Sequence, residues 1–415
     1  MLPISRSGPG SAGFMPALFT ATSALCVTGL STVDVPVYWS GFGEFAILGM
    51  IQVGGFGFMT LASILGLLVA RRLGLQSRLN AAGESNTVDI GEVRQVLFGI
   101  MRVTVATESV VAVLLALRFW LGYDVGIGRA AYLGVFHAVS AFNNAGFALF
   151  SDSMIGFAGD PLILLPLNAA IVLGGIGFPV LIELRRRLAP RLWSLHTKLT
   201  LTGTAVLLGA SFLAFLVFEW NNAATFGSMD LPQKLLASLT ASIQPRTAGF
   251  NAVDYADLHE SSLFFTTILM FIGGGSASTA GGIKVSTFFV LLFVILAEVR
   301  GDRDAEVADR RLEGRVQRQA LTVALLSVGV CVGSTLLFML LEPVRLQLAL
   351  FEVVSAFATV GLSAGVTPTI GVPAQLLLIF LMFVGRLGPV TLASALALRH
   401  HQHHYRLPEG RPLIG

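Results

Sequence analysis

The sequence TSALCVTGL, residues Thr22 to Leu30, decides the fold because its pattern returns three more times. The later copies are VSAFNNAGF (139–147), ASIQPRTAGF (241–250) and VSAFATVGL (354–362). Each copy combines a serine-containing helix end, a few extended residues, and one glycine before Leu or Phe. These glycines are Gly29, Gly146, Gly249 and Gly361. They lie about 110 residues apart, so the repeated unit is a whole structural module, and four copies predict a fourfold arrangement within one chain.

The composition indicates a protein that crosses a membrane several times. Of the 415 residues, 54% are hydrophobic and only 12% are charged, and the mean hydropathy is +0.78. Apolar runs of about 18 residues or more match the thickness of the bilayer core. This composition excludes a set of two or three soluble domains.

The basic residues predict the orientation. Most of the 27 Lys and Arg residues lie in alternate connections between the apolar runs and in the C-terminal tail. The positive-inside rule makes these segments cytoplasmic, so the four glycine loops face outward and the C-terminus lies inside. The basic runs are short and flank predicted spans, which argues against nucleic-acid binding. Cys26 and Cys331 have unrelated surroundings and imply no disulfide framework.

The apolar segments predict an all-α polytopic membrane protein organised as span, short re-entrant helix, loop and span, four times over. Short helices at 11–25, 129–142, 231–243 and 344–357 each precede a glycine loop. Full spans are expected at 44–70, 95–122, 160–184, 197–220, 262–298, 319–341 and 372–399. The repeats cover 1–72, 95–187, 197–300 and 318–399, followed by a cytoplasmic tail at 400–415. We expect the first repeat to lack its leading transmembrane helix.

The span at 262–298 is longer than a straight crossing requires. Its middle reads GGGSASTAGGIK, residues 273–284. Glycine and small hydroxyl residues make a poor helix, so we expect two half-helices with an irregular link. Irregular backbone is tolerated at membrane depth only where protein covers it or where it lines water.

The four glycine loops have the composition of an ion-binding filter. A K⁺ ion leaves water only if oxygen ligands replace its hydration shell, and backbone carbonyls do this without a net charge that would trap the ion. Short helices that point their C-terminal ends at the same axis add partial negative charge. A single loop of this kind is usually a tight turn, and the fourfold repetition reverses that interpretation. The expected ligands are the carbonyls of Val27, Thr28, Gly29, Asn144, Ala145, Gly146, Thr247, Ala248, Gly249, Thr359, Val360 and Gly361.

The same motifs resemble the ion-translocating subunit of the Ktr/Trk potassium-uptake superfamily, with the KtrB branch closest. SALCVTGL, SAFNNAGF, PRTAGFN with GGGSASTAGGIK, and SAFATVGLS with VGRLGP carry the resemblance, which runs from about Leu2 to the YRLPEGRPLIG tail. It implies four membrane-pore-membrane repeats in a pseudo-fourfold arrangement around one pore, and K⁺ uptake across the cytoplasmic membrane through a filter with one glycine per repeat. It also implies a homodimer on a cytoplasmic nucleotide-binding ring of the KtrA/TrkA type, no organic cofactor in this chain, and leaves Na⁺ open as an activator.

The resemblance further implies a gating loop in the third repeat. Lys284 and Arg386 lie in otherwise apolar spans, where an unpaired cation costs a few kcal/mol. We expect Arg386 to donate hydrogen bonds to carbonyls of 273–282 and so to hold the loop across the pore; the alternative for both cations is snorkelling or helix-end capping. The expected gate residues are Gly273, Gly274, Gly275, Ser276, Ser278, Thr279, Gly281, Gly282, Lys284 and Arg386.

Other polar residues have two interpretations each. Asn143 and Asn144 offer side-chain oxygens to an ion or satisfy a buried turn. Arg246 tunes ion access or fixes its loop. The histidines at 400, 401, 403 and 404 bind a metal or form a solvated helix end, and the latter is favoured. Surface exposure is the expectation for Glu108, Glu183, Glu219 and Glu298.

Two other functions compete with a pore. A secondary transporter with alternating access and Na⁺ or H⁺ coupling is compatible with a broken helix, but it needs ionisable residues at mid-membrane, and only Lys284 and Arg386 are expected there. A membrane-embedded enzyme needs a nucleophile, acid–base or metal constellation, and the spans contain no such pattern.

Overall fold

The computed structural model describes residues 2–78, 90–187, 189–308 and 310–398, which are predominantly helical. The helices are α1 (Phe14–Leu25), α2 (Val35–Tyr38), α3 (Gly41–Arg78), α4 (Ile90–Gly122), α5 (Ile127–Phe142), α6 (Pro161–Ile176), α7 (Phe178–Arg186), α8 (Leu195–Glu219), α9 (Leu231–Ile243), α10 (Glu260–Phe271), α11 (Val285–Arg300), α12 (Gly314–Leu341), α13 (Leu346–Phe357) and α14 (Val372–Leu398). Short 3₁₀ turns occupy Pro3–Ser5, Ile155–Phe157, Pro190–Leu192, Tyr255–Asp257 and Thr367–Thr369. Strands β1 (Glu306–Val307) and β2 (Arg310–Arg311) form an antiparallel hairpin in which Glu306 pairs with Arg311.

The helices divide by length into spans and shorter elements. In the described part of the chain, four helices are long and apolar enough to cross a membrane, namely Gly41–Ile64, Val96–Gly122, Leu195–Glu219 and Gly314–Leu341. The helices α1, α5, α9 and α13 have 12 to 16 residues. At 1.5 Å per residue they reach only about 18–24 Å, which is shorter than the bilayer core. The predicted all-α membrane fold is confirmed, whereas the predicted repeat boundaries stay a prediction.

The segment predicted as one straight span at 160–184 is bent instead. Helices α6 and α7 meet at 97° across Gly177. Gly177 has a φ of 101°, which glycine adopts without the cost that a side chain would add. A Cβ there would lie 2.5 Å from the carbonyl oxygen of Ser276, so the bend receives the glycine-rich segment of the third repeat.

The long segment at 262–298 is two helices, as its composition predicts. Helix α10 ends at Phe271 and α11 begins at Val285. The Gly273 N–H donates to the Ile283 carbonyl (2.9 Å), and the Ile283 N–H donates to the Phe271 carbonyl (3.2 Å). The link between the two half-helices is therefore a closed loop whose two ends meet.

Buried apolar side chains form three clusters. One lies among α1, α3, α4, α5 and α6, and the second among α9, α10, α12, α13 and α14. A smaller cluster joins α8, α11 and α12 to the β-hairpin. The two large clusters each enclose short helices, so these are held from behind by the spans.

Glycines let three spans touch the ends of the short helices. A Cβ on Gly54 would collide with the carbonyl oxygen of Leu25, the last residue of α1. In the same way, a Cβ on Gly174 would collide with the carbonyl oxygen of Phe142 at the end of α5, and one on Gly385 with that of Phe357 at the end of α13. Each span therefore approaches the C-terminal end of a short helix as closely as backbone permits, which fixes the depth at which that helix stops.

This packing predicts that Gly385→Ala destabilises the fold, because the new methyl group overlaps the Phe357 carbonyl and the cost of overpacking is typically about 1–3 kcal/mol. The measurement is the midpoint temperature of unfolding in detergent, followed by size-exclusion chromatography after heating. Gly49→Ala is the control: Gly49 is helical, exposed and has no atom within 4 Å of a Cβ, so alanine there leaves the midpoint unchanged or raises it. Equal midpoints for Gly385→Ala and the unaltered protein would contradict the packing.

Candidate ion pathway

The four repeat glycines meet in a closed ring. A Cβ on Gly29 would lie 2.5 Å from the Ala145 carbonyl oxygen, one on Gly146 2.9 Å from that of Ala248, and one on Gly249 2.6 Å from that of Val360. A Cβ on Gly361 would overlap the Thr28 carbonyl oxygen and lie 3.0 Å from the Gly29 Cα. Each glycine thus packs on the residue that precedes the next glycine, and the series returns to its start. No side chain fits at any of the four positions.

The backbone of the four loops has one shared conformation. The residue two positions before each glycine is left-handed: Val27 (φ 56°), Asn144 (φ 59°), Thr247 (φ 66°) and Thr359 (φ 52°). The glycines have φ values of 68° to 99°. Left-handed backbone is an outlier for β-branched residues such as Val27, Thr247 and Thr359 and costs about 1–3 kcal/mol each. Strain of this kind persists only where the surrounding structure imposes it, and it is concentrated at functional sites.

In all four loops, the N–H groups and the carbonyls differ in how they are hydrogen-bonded. The N–H of the residue before each glycine donates backward to its own short helix or, in the third repeat, to the residue that directly follows the helix. The bonds are Thr28 to the Ser23 carbonyl (2.8 Å), Ala145 to Ser140 (2.7 Å), Ala248 to Gln244 (3.0 Å) and Val360 to Ser355 (2.8 Å). Within the described residues, no donor is hydrogen-bonded to any of the twelve carbonyls predicted as ligands. Buried carbonyls normally have a partner, so these oxygens are available to a ligand.

The short helices add an electrostatic bias. Helices α1, α5, α9 and α13 end at Leu25, Phe142, Ile243 and Phe357, directly before the four loops. The C-terminal end of a helix carries a partial negative charge of roughly half an elementary charge. Four such ends next to one ring favour a cation over an anion.

The glycine-rich loop at 273–284 contacts the second and fourth repeats next to their ring segments. A Cβ on Gly281 would overlap the Thr359 hydroxyl oxygen and lie 2.5 Å from the Ala358 carbonyl oxygen. On the opposite side, the Thr279 N–H donates to the Gly174 carbonyl (3.3 Å) and the Thr279 hydroxyl to the Phe142 carbonyl (3.3 Å). The loop therefore spans from the second repeat to the fourth.

Two buried cations contact this loop. The Arg386 guanidinium donates to the Thr279 carbonyl, as the sequence predicted for its partner segment. The Lys284 ammonium donates to the Ala280 carbonyl at 2.5 Å. Both cations lie over the ring of Phe58 in α3, with the Arg386 Cζ 4.3 Å and the Lys284 Nζ 5.7 Å from its centroid. Neither side chain snorkels to the surface, because Lys284 and Arg386 are 8% and 4% exposed.

A comparison with protein families identifies the chain. The family model described as TrkH, cation transport protein, matches residues 5–406. The chain belongs to the TrkH family of cation transport proteins. It is therefore a multi-pass membrane ion transporter and not an enzyme.

Individual relatives agree with the TrkH assignment. The Ktr system potassium uptake protein B of Bacillus subtilis is 37% identical over 415 residues, which is 100% of this chain and 92% of that protein. The protein of the same name from Vibrio alginolyticus is 36% identical over 96% of this chain and 88% of that protein. The potassium/sodium uptake protein NtpJ of Enterococcus hirae is 33% identical over 99% of this chain and 92% of that protein.

A solved structure shows the same fold. The crystal structure of the potassium transporter TrkH from Vibrio parahaemolyticus superposes with a TM-score of 0.69 over 92% of this chain and 78% of that one. The sequence identity is 19%, so this likeness concerns the fold alone.

Polar side chains fix the second and third loops of this TrkH-family chain to neighbouring elements. The Arg246 guanidinium is buried and donates to the Thr204 hydroxyl of α8 at 3.1 Å, which favours the structural interpretation of this residue. The Asn144 side chain lies within 3.3 Å of the Ile171 carbonyl oxygen and the Thr279 hydroxyl. Both side chains therefore fix loops instead of facing an ion.

The predicted surface exposure of Glu108 is wrong. Glu108 in α4 is 8% exposed. It accepts a hydrogen bond from Asn143 Nδ2 (3.0 Å) and another from Gln52 Nε2 (3.3 Å). Asn143 Nδ2 also lies 3.0 Å from the Gln52 Oε1. This buried network connects α3 and α4 to the end of α5, so Asn143 satisfies a buried turn, and an acidic residue does lie inside the spans.

The prediction is also wrong for Glu219, which is fully buried at the end of α8 and accepts from Thr225 (2.7 Å) and the His259 N–H (3.0 Å). It holds for Glu298, which is exposed, while Glu183 is half-buried. The histidines at 400, 401, 403 and 404 and the tail at 400–415 lie outside the described residues.

Sequence reasoning missed a second repeated motif. The spans carry VGGFGF (53–58), LGGIGF (173–178), IGGGSA (272–277) and VGRLGP (384–389) at corresponding places. Arg386 stands where the other copies have Gly55, Gly175 and Gly274. The motif repeats with about the same period as the filter glycines. Because the other three copies have glycine at this position, only the fourth copy places a side chain there, and that side chain donates to the glycine-rich loop.

Proposed function

We propose that this chain is a potassium-uptake pore whose filter is the ring of carbonyls around Gly29, Gly146, Gly249 and Gly361. The observation that carries the proposal is the closed ring of contacts among the four glycines, together with loop carbonyls that no described donor occupies. Carbonyl oxygens replace the hydration shell of an alkali cation, and the helix ends of α1, α5, α9 and α13 make that replacement favourable for positive charge only.

Potassium is the proposed cargo because two close relatives are named potassium uptake proteins and a third is named a potassium/sodium uptake protein. Only one glycine contributes to each loop, so fewer carbonyl rings are well defined than in a filter with two. We therefore expect moderate preference for K⁺ over Na⁺, with Na⁺ also a candidate activator.

The loop at 273–284 is the proposed gate. Its residues Gly273, Gly274, Gly275, Ser276, Ser278, Thr279, Gly281 and Gly282 pack under the ring, and Lys284 and Arg386 hold it there. The bonds of Thr279 to Gly174, Phe142 and Arg386 fasten the loop at both sides. A loop with a buried guanidinium is both a steric and an electrostatic barrier to a cation leaving the filter.

The proposed assembly is a homodimer on a cytoplasmic nucleotide-binding ring of the KtrA/TrkA type, in the cytoplasmic membrane, with the C-terminus inside. The positive-inside distribution of Arg residues supports this orientation. The names of the Bacillus and Vibrio relatives refer to a Ktr system, which supports partner subunits.

The filter proposal predicts that Gly361→Ala lowers rubidium uptake by proteoliposomes at least tenfold. The methyl group would overlap the Thr28 carbonyl oxygen and so displace a proposed ligand. Uptake is measured in proteoliposomes with an inwardly directed Rb⁺ gradient. Vesicles that contain only Na⁺ or only choline serve as the ionic controls.

The matched control is Gly365→Ala. Gly365 also has a positive φ, 83°, but a Cβ there meets no atom within 4 Å. This variant carries the same backbone strain without touching the ring, so uptake stays near that of the unaltered protein. Equal uptake by Gly361→Ala and Gly365→Ala would rule out the ring as the filter.

The gate proposal predicts that deletion of 276–279, or Arg386→Ala, raises uptake several-fold, because the barrier under the ring loses its residues or its fastening. Arg300→Ala, which alters an exposed cation at the end of α11, serves as the control and leaves uptake unchanged. If both gate variants are expressed normally and their Rb⁺ uptake is unchanged, the gate proposal is wrong.

A Na⁺- or H⁺-coupled transporter with alternating access is the second candidate. Glu108 is the observation that favours it, since this buried carboxyl lies within a span next to the second loop. The same vesicles distinguish the two: saturable uptake that strictly requires a proton or sodium gradient supports coupling, and uptake driven by the Rb⁺ gradient alone supports the pore.

A further inference from the structure

A fully buried carboxylate lies behind the fourth loop. Glu352 is in the short helix α13 and has no exposed surface. Its Oε1 accepts from the Ser363 hydroxyl (2.6 Å) and the Ala364 N–H (3.1 Å), and its Oε2 accepts from the Thr367 hydroxyl (2.5 Å). All three donors belong to the segment that directly follows Gly361. Glu352 therefore ties the return segment of the loop to the helix that precedes it.

The second repeat has the same tie without a carboxylate. His137 occupies the corresponding place in α5, and its Nε2 accepts from the Leu149 N–H at 3.2 Å. Leu149 follows Gly146 as Ala364 follows Gly361. An uncharged acceptor is thus sufficient to hold a return segment, so the position itself does not require the negative charge at Glu352.

No basic side chain in the described ranges is seen to pair with the Glu352 carboxyl group. Neither of the ion pairs seen among the described residues, Arg118–Asp160 and Arg311–Asp304, involves Glu352. Burying a lone carboxylate in a medium of low dielectric constant is costly unless hydrogen bonds and an opposite charge compensate it. Three donors supply the hydrogen bonds, and no ion pair seen in the described part of the chain supplies an opposite charge.

A cation bound in the ring would lie close enough to Glu352 to supply the opposite charge. Glu352 lies five residues before the end of α13, which is about 8 Å along the helix axis. At an effective dielectric constant of about 20, unit charges some 10 Å apart change a binding constant by the order of tenfold. We propose that Glu352 is ionised, and that its fixed negative charge raises the affinity of the ring for a dehydrated monovalent cation. This inference rests on the proposed filter and assigns its affinity to one residue.

The variant Glu352→Gln separates the effect of the charge from that of the hydrogen bonds to the return segment. Glutamine keeps one oxygen for the Ala364 N–H. A hydroxyl group both donates and accepts, so the Thr367 hydroxyl can accept from the new amide. The shape and the hydrogen bonds are retained while the charge is removed. Glu352 does not contact the ion in this proposal; it acts on the ion through its charge, at a distance.

The experiment measures initial Rb⁺ uptake by proteoliposomes over a range of Rb⁺ concentrations. We expect Glu352→Gln to raise KM by about 5- to 20-fold, with the maximal rate within about twofold of the unaltered protein. Glu219→Gln is the matched control, because Glu219 is also a fully buried carboxylate with hydroxyl donors but contacts none of the four loops. We expect the KM of Glu219→Gln to stay within about twofold of that of the unaltered protein.

A KM for Glu352→Gln equal to that of the unaltered protein overturns the inference, because the carboxyl is then either neutral or electrostatically irrelevant. If this variant does not fold, Glu352→His at pH 8 provides the same test, since His137 supports the second loop with an uncharged nitrogen. The same rise in KM is expected, and an unchanged KM again contradicts the proposal. Absence of Rb⁺ uptake by the unaltered protein would instead overturn the proposed function itself.

Discussion

The close contact of each repeat glycine with the carbonyl before the next glycine is the constraint on which the structure depends. Such contact is possible only if all four loops approach one centre without side chains, and only if the residue two positions earlier accepts left-handed backbone. Val27, Thr247 and Thr359 adopt that backbone in spite of their β-branched side chains. The strain of roughly 1–3 kcal/mol at each has to be offset by the surrounding helices. The ring is thus imposed by the fold and is not a local preference of the loops.

The surrounding helices impose it through a second set of backbone contacts. Gly54, Gly174 and Gly385 let the spans press against the last carbonyls of α1, α5 and α13. The depth of each short helix, and therefore the position of its loop, is fixed by this packing. The bend at Gly177 then makes room for the glycine-rich loop beneath the ring. Ring, short helices and inner loop are one mechanical unit, and a displacement of the loop changes the support of the second and fourth ring segments.

Much of this arrangement was predictable from the sequence because it is repeated. The glycine period, the four short helices and the break at 273–284 follow from composition and spacing, and the structure has helices and a loop at these places. The bend of α6 and α7 was not predictable, because Gly177 resembles Gly57 in its local sequence and only the neighbouring Ser276 carbonyl distinguishes it. Burial of Glu108, Glu219 and Glu352 was equally hidden. Glu108 accepts from Asn143 and Glu219 accepts from the His259 N–H, partners that lie 35 and 40 residues away in the sequence, so the local sequence around these carboxyl groups does not show that they are buried.

The most direct test of the central idea is an anomalous difference map from crystals of this protein grown in rubidium. The account predicts a peak on the axis between the carbonyl oxygens of Thr28, Ala145, Ala248 and Val360, and loss of that peak when choline replaces rubidium. A map with strong protein density and no rubidium peak within the ring would contradict it.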